Sequence, residues 1–319
     1  MNWFQEFALP DTDVRQITHE HILHFKIIVS ELRINAATSL PLDAARTDDA
    51  ANRIHPKTAK KKFDTVKTFL RWLVEIGALH TAPGMLIQYK VPKTAASKKR
   101  RPFQSLELDQ LFSSPLFAGC KSKAKRHIPG DLVLRDDLFW MPLVLLYTGM
   151  RLAEPLQIEA QDVHIDLEHP HFDLDSAKVK LKQVMSDRLV PIHPDLIAFG
   201  FGEFVRKRQK SAPSERLFRG IVSVGDVGNY YSKVLGKYID RIGLTDTRLV
   251  AHSFRHGFKD ALRNAAVPEG EQHFLMGHSN SDAAHNYGSG SNIDVLYNWV
   301  AKLDMGLSEE IKISLTSLE

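Results

Sequence analysis

The spacing of apolar residues predicts helices over most of the first hundred residues. Residues 17–33 (ITHEHILHFKIIVSELR) and 56–80 carry apolar side chains three and four positions apart, as one buried helix face requires. Residues 41–53 (PLDAARTDDAANR) are polar and indicate a connection. We therefore predict an all-helical N-terminal domain over residues 1–92.

The pattern changes after the polar, basic segment VPKTAASKKRRPF (91–103), within which residues 93–103 are interpreted as a linker. Ser105 is expected to cap a helix (SLELDQLFSS). A loop is expected at GCKSKAKRHIPG (119–130), followed by an apolar helix that ends at Gly149. Short alternating runs over 162–193 predict a small antiparallel sheet, after which the chain becomes helical again. The predicted fold class is mainly α with a small antiparallel β-sheet: the all-helical domain, then a mixed α/β domain over 104–319 with a C-terminal tail from about residue 289.

Charge changes this picture because it is unevenly distributed. Residues 52–101 contain 13 Lys or Arg against Asp64 and Glu75, a net charge of +11, whereas the whole chain carries +4, so the remainder carries −7. A strongly basic segment favours a polyanionic partner, although a solvated lysine-rich face is the alternative. The candidate DNA-contacting cations are Lys57, Lys60, Lys61, Lys67, Arg71, Lys98, Lys99, Arg100 and Arg101.

Composition excludes several other classes. The longest apolar run (138–150) contains a proline and is too short to cross a bilayer, and the N-terminus lacks the pattern of a signal peptide. The single cysteine, Cys120, fits a reducing compartment and is expected to be a small buried residue. We therefore expect a cytoplasmic protein without a membrane partner.

Four separate segments carry side chains suited to one chemistry. They are TGMRLAE with Arg151 and Glu154, KQVMSDRLVPIH with Lys182, HSFRHGFKDALR with His252 and Arg255, and GHSNSDAAHNYG with His278 and Tyr287. In isolation each has an ordinary alternative, such as a surface ion pair, a solvated basic helix face or a packed aromatic ring. Together they supply guanidinium groups that match phosphate oxygens, a phenol that can attack phosphorus, and bases and acids that move protons.

In this order the segments resemble the tyrosine recombinases, the phage-integrase type of site-specific recombinase. The resemblance covers nearly all of the chain and is most specific over 143–193 and 250–288. It implies that Arg151 and Arg255 clamp the scissile phosphate, that His278 adds a hydrogen bond, and that Glu154 orients the site. It further implies that Tyr287 is the nucleophile, His252 the proton acceptor and Lys182 the general acid, although Lys178 and Lys180 lie close to Lys182.

The resemblance also implies how the protein works. We expect a core-type DNA-binding domain over 1–92 and a catalytic domain over 104–319 that cut and rejoin double-stranded DNA through a 3′-phosphotyrosine. No metal, nucleotide or other cofactor is expected, and the partners are DNA and a homotetramer on paired sites of a mobile element in a prokaryotic cell. The helical domain begins almost at the first residue and leaves no room for an additional arm-binding domain, so either this is a simpler recombinase or the sequence is a fragment of a longer one. Docking of the tail on its own domain or on a neighbour stays open.

Three other functions were weighed against this one. A metal hydrolase is disfavoured because HEHILH (19–24) lacks the second histidine of HExxH and the histidines of 162–173 match no zinc spacing. A DNA-binding regulator without catalysis has no need of Arg151, Lys182 or Tyr287. A type IB topoisomerase shares the nucleophile and the cations, and DNA relaxation therefore stays an alternative.

Overall fold

The computed structural model describes residues 2–8, 13–37, 39–92, 99–174, 187–223, 225–277 and 292–317. The chain divides into two compact units, residues 1–98 and 99–319, each with its own hydrophobic core. The mainly α fold with a small antiparallel sheet is confirmed. No helix in the described ranges is long and apolar enough to cross a membrane.

The first unit is helical. Its helices are α1 (Asn2–Ala8), α2 (His19–Glu31), α3 (Leu42–Ala45) and α4 (Pro56–Glu75). Pro56 stands at the first turn of α4, where its missing N–H costs no hydrogen bond. The core forms where Ile22 and Phe25 of α2 and Phe63 and Leu70 of α4 are buried. The helix predicted over 56–80 is therefore largely correct, but α4 ends at Glu75, and Ile76 after it is half exposed.

The second unit is built around one apolar helix. Its helices are α5 (Ser105–Phe112), α6 (Pro115–Ala118), α7 (Asp137–Thr148), α8 (Pro194–Ala198), α9 (Phe201–Ser211), α10 (Val227–Arg241), α11 (Ala251–Asn264), α12 (Glu269–Met276), α13 (Ile293–Val300) and α14 (Glu309–Thr316). All residues of α7 except Leu138 are buried, and α11 packs along it. Each large apolar side chain buried there contributes roughly 1.5–3 kcal/mol.

Two small antiparallel sheets accompany these helices. Strands β3 (Val163–His164), β4 (His171–Leu174) and β5 (Arg188–Pro191) form the predicted sheet, with Leu174 opposite Arg188. The expected loop at 119–130 is wrong, because β1 (Cys120–Ser122) and β2 (Lys125–Pro129) pair as a hairpin. This lysine-rich hairpin is anchored by Arg126, which is buried and bonded to Asp136.

Helix α5 begins at Ser105, one residue earlier than a cap at Ser105 would allow. Gln104, and not Ser105, is the N-cap residue, and its N–H donates to the Glu107 carboxylate at 2.8 Å. The same carboxylate accepts two hydrogen bonds from Arg101, which also pairs with Asp246 at 2.8 Å. Arg101 therefore ties the start of the second unit to two of its acids.

The described part of the tail packs on its own unit. Leu296 and Val300 of α13 and Ile311 and Leu315 of α14 are buried in the core of the second unit. The Ser308 N–H also donates to the Asp109 carboxylate at 3.0 Å. Residues 292–317 therefore contribute to the core of their own unit.

Substitution of Gly149 tests whether this glycine is required to end α7. Its φ of +59° is left-handed, and a Cβ there would overlap the Phe258 ring of α11. We predict that Gly149→Ala lowers the free energy of unfolding by about 3 kcal/mol, from backbone strain and overpacking together. Urea unfolding measures this change.

The matched control is Gly236→Ala, inside α10, where a Cβ meets no atom within 4 Å. It should stabilise the protein by about 0.5–1 kcal/mol, since alanine is the better helix former. Equal effects of the two substitutions would contradict the role of Gly149.

Candidate active site

Three arginines converge where α7 and α12 end. Arg151 follows the Gly149 turn, Arg255 lies on α11 and Arg188 begins β5. Arg255 is only 5% exposed, and its guanidinium donates to the carbonyls of Gly149 (2.6 Å) and Met276. Because the last carbonyls of a helix have no partner within it, two helix ends supply acceptors for this buried cation.

Arg151 is held on both sides. Its Nη1 pairs with Glu154 Oε1 at 3.0 Å, and its Nη2 donates to the Gly277 carbonyl at 2.6 Å. Its backbone N–H donates to Glu154 Oε2 at 2.8 Å, so the TGMRLAE turn closes on its own carboxylate. The Arg151 side chain stays about one quarter exposed (27%), and it can therefore still meet a ligand.

Glu154 is the buried counter-charge of this site. Its side chain is 4% exposed and also accepts from Arg188 Nη2 at 2.8 Å. Burial by itself raises the pKa of this carboxyl, but the charge of Arg188 and hydrogen bonds from Arg188 and Arg151 outweigh burial and lower the pKa. Glu154 is therefore ionised at neutral pH.

Arg255 remains charged as well. Burial, and then the like charges of Arg151 and Arg188, lower its pKa to about 10, while Glu154 acts in the opposite direction. At neutral pH the cluster thus carries three positive charges against one carboxylate. Such an excess of oriented guanidinium groups binds an anion, and its bidentate geometry matches phosphate.

His252 lies one helical turn before Arg255 and is exposed. Partial desolvation, then the neighbouring His256, Arg255, Arg100 and Arg151, lower its pKa to about 4. The two imidazole rings meet edge to face at 4.8 Å. At neutral pH the His252 ring is therefore uncharged, and a neutral imidazole can accept a proton.

The structure thus brings together four predicted site residues, Arg151, Glu154, His252 and Arg255. Lys182, His278 and Tyr287 lie outside the described residues, and their roles stay predictions. Arg188 is a further residue of this site, which none of the sequence motifs predicted. The sequence does contain an indication of its role, because an arginine at the start of a strand, in the otherwise apolar run RLVPI, needs a buried partner.

Some of the predicted DNA-contacting cations already interact with other groups of the protein. Lys60 pairs with Asp64, and Lys67 donates to the Met85 and Ile87 carbonyls at 2.8 Å each. Arg101 is held by its two carboxylates, and Lys98 lies outside the described residues. Exposed members of the set are Lys57, Lys61, Arg71, Lys99 and Arg100. A DNA contact by any of them stays a prediction.

The histidines weighed as metal ligands have other partners. His164 and His171 face each other across β3 and β4 with ring centroids 4.9 Å apart. His169 stacks on Tyr297 at 4.7 Å and pairs with Asp294 of α13 at 3.1 Å. Across the residues that the structure describes, no three His, Cys, Asp or Glu side chains converge as ligands.

Comparison with known proteins identifies the family. Residues 130–291, just over half of the chain, match the sequence model of the phage integrase family. The chain therefore belongs to the phage integrase family, and it is a tyrosine-type DNA strand transferase. No curated protein sequence matches it significantly.

Solved structures show the same fold. A lambda integrase (75–356) dimer bound to a COC′ core site matches with a TM-score of 0.50 and 15% identity, covering 90% of this chain and 86% of that one. The site-specific recombinase XerH, in a pre-cleavage complex with difH, matches with a TM-score of 0.51 and 15% identity, covering 87% and 70%. A lambda integrase tetramer bound to a Holliday junction has a TM-score of 0.50 and 14% identity, covering 86% and 68%.

The His252 environment gives a pH test. Titration followed by NMR should place the pKa of His252 near 4, and His256→Asn should raise it towards the ordinary value of about 6.5. Because the folded pKa lies below the unfolded one, His252 makes the protein less stable as pH falls from about 6.5 to about 4. A His252 that titrates at 6.5 or above, unaffected by His256→Asn, would contradict this assignment.

Proposed function

We propose that this protein is a site-specific DNA recombinase that cuts and rejoins duplex DNA through a 3′-phosphotyrosyl intermediate. The observation that carries this proposal is the pair of guanidinium groups, Arg151 and Arg255, fixed beside an uncharged His252. Such a set stabilises a phosphodiester in its transition state and supplies a base, which is what attack by a tyrosine requires.

The arginines act on charge. As the phosphorus becomes five-coordinate, negative charge grows on its nonbridging oxygens, and two oriented guanidinium groups stabilise that charge without reorganising. Arg255 has its acceptors at Gly149 and Met276, so its position is set before DNA binds. His278, directly after Gly277 in the sequence, adds a hydrogen bond to the same phosphate in this proposal.

Two proton transfers complete the cleavage step. The Tyr287 oxygen attacks phosphorus and its proton passes to His252, while the bond to the 5′-oxygen breaks and Lys182 protonates that oxygen. The products are a 3′-phosphotyrosyl bond and a free 5′-hydroxyl. Rejoining is the reverse step, with a 5′-hydroxyl of the partner strand as the nucleophile.

This chemistry requires neither a metal ion nor a nucleotide. The arginines carry the charge stabilisation that a bound divalent cation supplies in other phosphoryl transferases. One phosphodiester is exchanged for one phosphotyrosine, so the bond energy is retained for rejoining. The proposal therefore includes independence of both metal and ATP.

We propose that the two units have the separate roles predicted from the sequence. Residues 1–92 form the core-type DNA-binding domain, 93–103 a basic linker and 104–319 the catalytic domain, which accords with the two compact units. In this proposal the protein binds double-stranded DNA and assembles as a homotetramer on paired sites. It acts in the cytoplasm of a prokaryotic cell. Family membership supports this, as do DNA-bound structures of similar fold, one of them a lambda integrase tetramer bound to a Holliday junction.

Covalent trapping tests the chemistry. A nicked suicide duplex made from DNA that flanks the gene should give an SDS-resistant protein–DNA adduct in EDTA without nucleotide. Tyr287→Phe should abolish the adduct, because it removes the attacking oxygen.

The matched control is Tyr297→Phe on α13, which makes the same chemical change at a ring stacked on His169 and should leave the adduct intact. An adduct formed by Tyr287→Phe would overturn the assignment of the nucleophile. Strict dependence on a divalent cation would overturn metal independence. Relaxation of supercoiled plasmid without strand exchange would indicate a topoisomerase.

Salt dependence tests the basic helix α4. Lys61→Ala with Arg71→Ala removes two exposed cations, which should weaken DNA binding and reduce the slope of log K against log salt by roughly 2. Fluorescence anisotropy at several salt concentrations measures this slope.

A charge-matched control is Lys207→Ala with Lys210→Ala, two exposed cations of α9 on the other unit. This control should leave the slope unchanged. Equal slopes for the α4 variant and the wild type would remove these two cations from the interface.

A further inference from the structure

We infer that Arg188 is a positioning residue, which neutralises Glu154 and thereby keeps the charge of Arg151 directed at the scissile phosphate. This inference rests on the proposed function and concerns the same site. Arg188 acts through Glu154 and is not itself presented to DNA, because its side chain is only 2% exposed.

The contacts of Arg188 join three segments of the site. Its Nη2 donates to Glu154 Oε2 at 2.8 Å, in the turn that carries Arg151. Its Nε donates to the Leu275 carbonyl at 3.2 Å, in the last turn of α12. Because Arg188 itself begins β5, one guanidinium joins the sheet, the Arg151 turn and the end of the helix that precedes His278.

Gly277 makes this arrangement possible. A Cβ at that position would lie 2.5 Å from Arg188 Nη1 and 2.7 Å from its Cζ, so only glycine lets the guanidinium pass the end of α12. The same Gly277 accepts the Arg151 hydrogen bond through its carbonyl. Arg188 thus lies against the Cα of a single left-handed residue (φ +58°) whose carbonyl binds Arg151.

Charge explains why a second arginine is needed. With Glu154 paired to Arg151 alone, the buried carboxylate would cancel the charge that the phosphate requires. Arg188 supplies a permanent counter-charge at Oε2, and the Arg151 guanidinium pairs only with Oε1. The Glu154–Arg188 pair is neutral as a unit, which leaves Arg151 and Arg255 as two net positive charges.

Lysine cannot reproduce this geometry. Arg188 donates from Nε to one segment and from Nη2 to another in a fixed plane, whereas an ammonium is a single point charge on a flexible stem. Arg188→Lys therefore preserves the buried charge and the fold but releases one of the joined segments. A displacement of about 1 Å at a reacting group costs on the order of 100-fold in rate.

The experiment separates rate from affinity. We expect Arg188→Lys to slow adduct formation on the suicide duplex at least about tenfold, while Kd for DNA stays within about twofold of the wild type. Phe218→Leu, a core truncation beside Phe204, is the stability control and should leave the rate unchanged. An unchanged rate for Arg188→Lys, or equal losses of rate and affinity, would overturn the inference.

A second comparison tests whether Arg188 acts through Glu154. Glu154→Gln removes the charge that Arg188 neutralises, so adding Arg188→Met should slow adduct formation by no more than about twofold beyond Glu154→Gln alone. Removing both charges together leaves neither member of the pair buried without its partner, and the double variant is therefore expected to fold. A further tenfold loss would show that Arg188 acts by a route other than Glu154 and would overturn the inference. Adduct formation by the wild type and its loss in Tyr287→Phe decide the proposed function separately, whatever Arg188 does.

Discussion

The site depends on one constraint: three guanidinium groups must stand together in a poorly hydrated place without driving one another apart. The chain meets this constraint with one buried carboxylate, Glu154, and with carbonyls from the ends of α7 and α12. Helix C-termini carry partial negative charge, so both helices end where positive charge must be stabilised. The fold of the second unit can be understood from this, because α7 and α12 end in left-handed glycines that let their last carbonyls face the arginines.

Burial and the same cations set the state of His252. Desolvation first, and then the positive neighbours, disfavour the charged imidazole, and the pKa of His252 is therefore well below its usual value. The free protein thus holds an uncharged imidazole beside charged guanidiniums, a combination that suits proton acceptance next to an anion. An anion bound in the cluster would offset the charge of these neighbours and raise the pKa of His252.

Much of this organisation was predictable from local sequence. The spacing of Phe63, Val66 and Leu70 predicted the buried face of α4, and the apolar run ending at Gly149 predicted α7. Arg151, Glu154, His252 and Arg255 were identified from short motifs, since each motif places its residue at a turn or on one helix face. The hairpin of β1 and β2 was missed because its alternation is hidden by lysines, and its stability comes from Arg126 and Asp136, whose pairing no local pattern reveals.

By itself, the sequence determined the kinds of groups available and their order: the cations, the bases, the tyrosine and the basic segment at residues 52–101. Only the tertiary structure decided which cations are already engaged by protein groups, as Arg101 is by Glu107 and Asp246 and Arg188 is by Glu154. The physical reason is that a charge is neutralised by the groups that lie within a few ångströms of it in space, wherever those groups stand in the sequence. In the chain, Arg188 is 34 residues from Glu154 and 87 from Leu275, and folding alone brings them within hydrogen-bond distance.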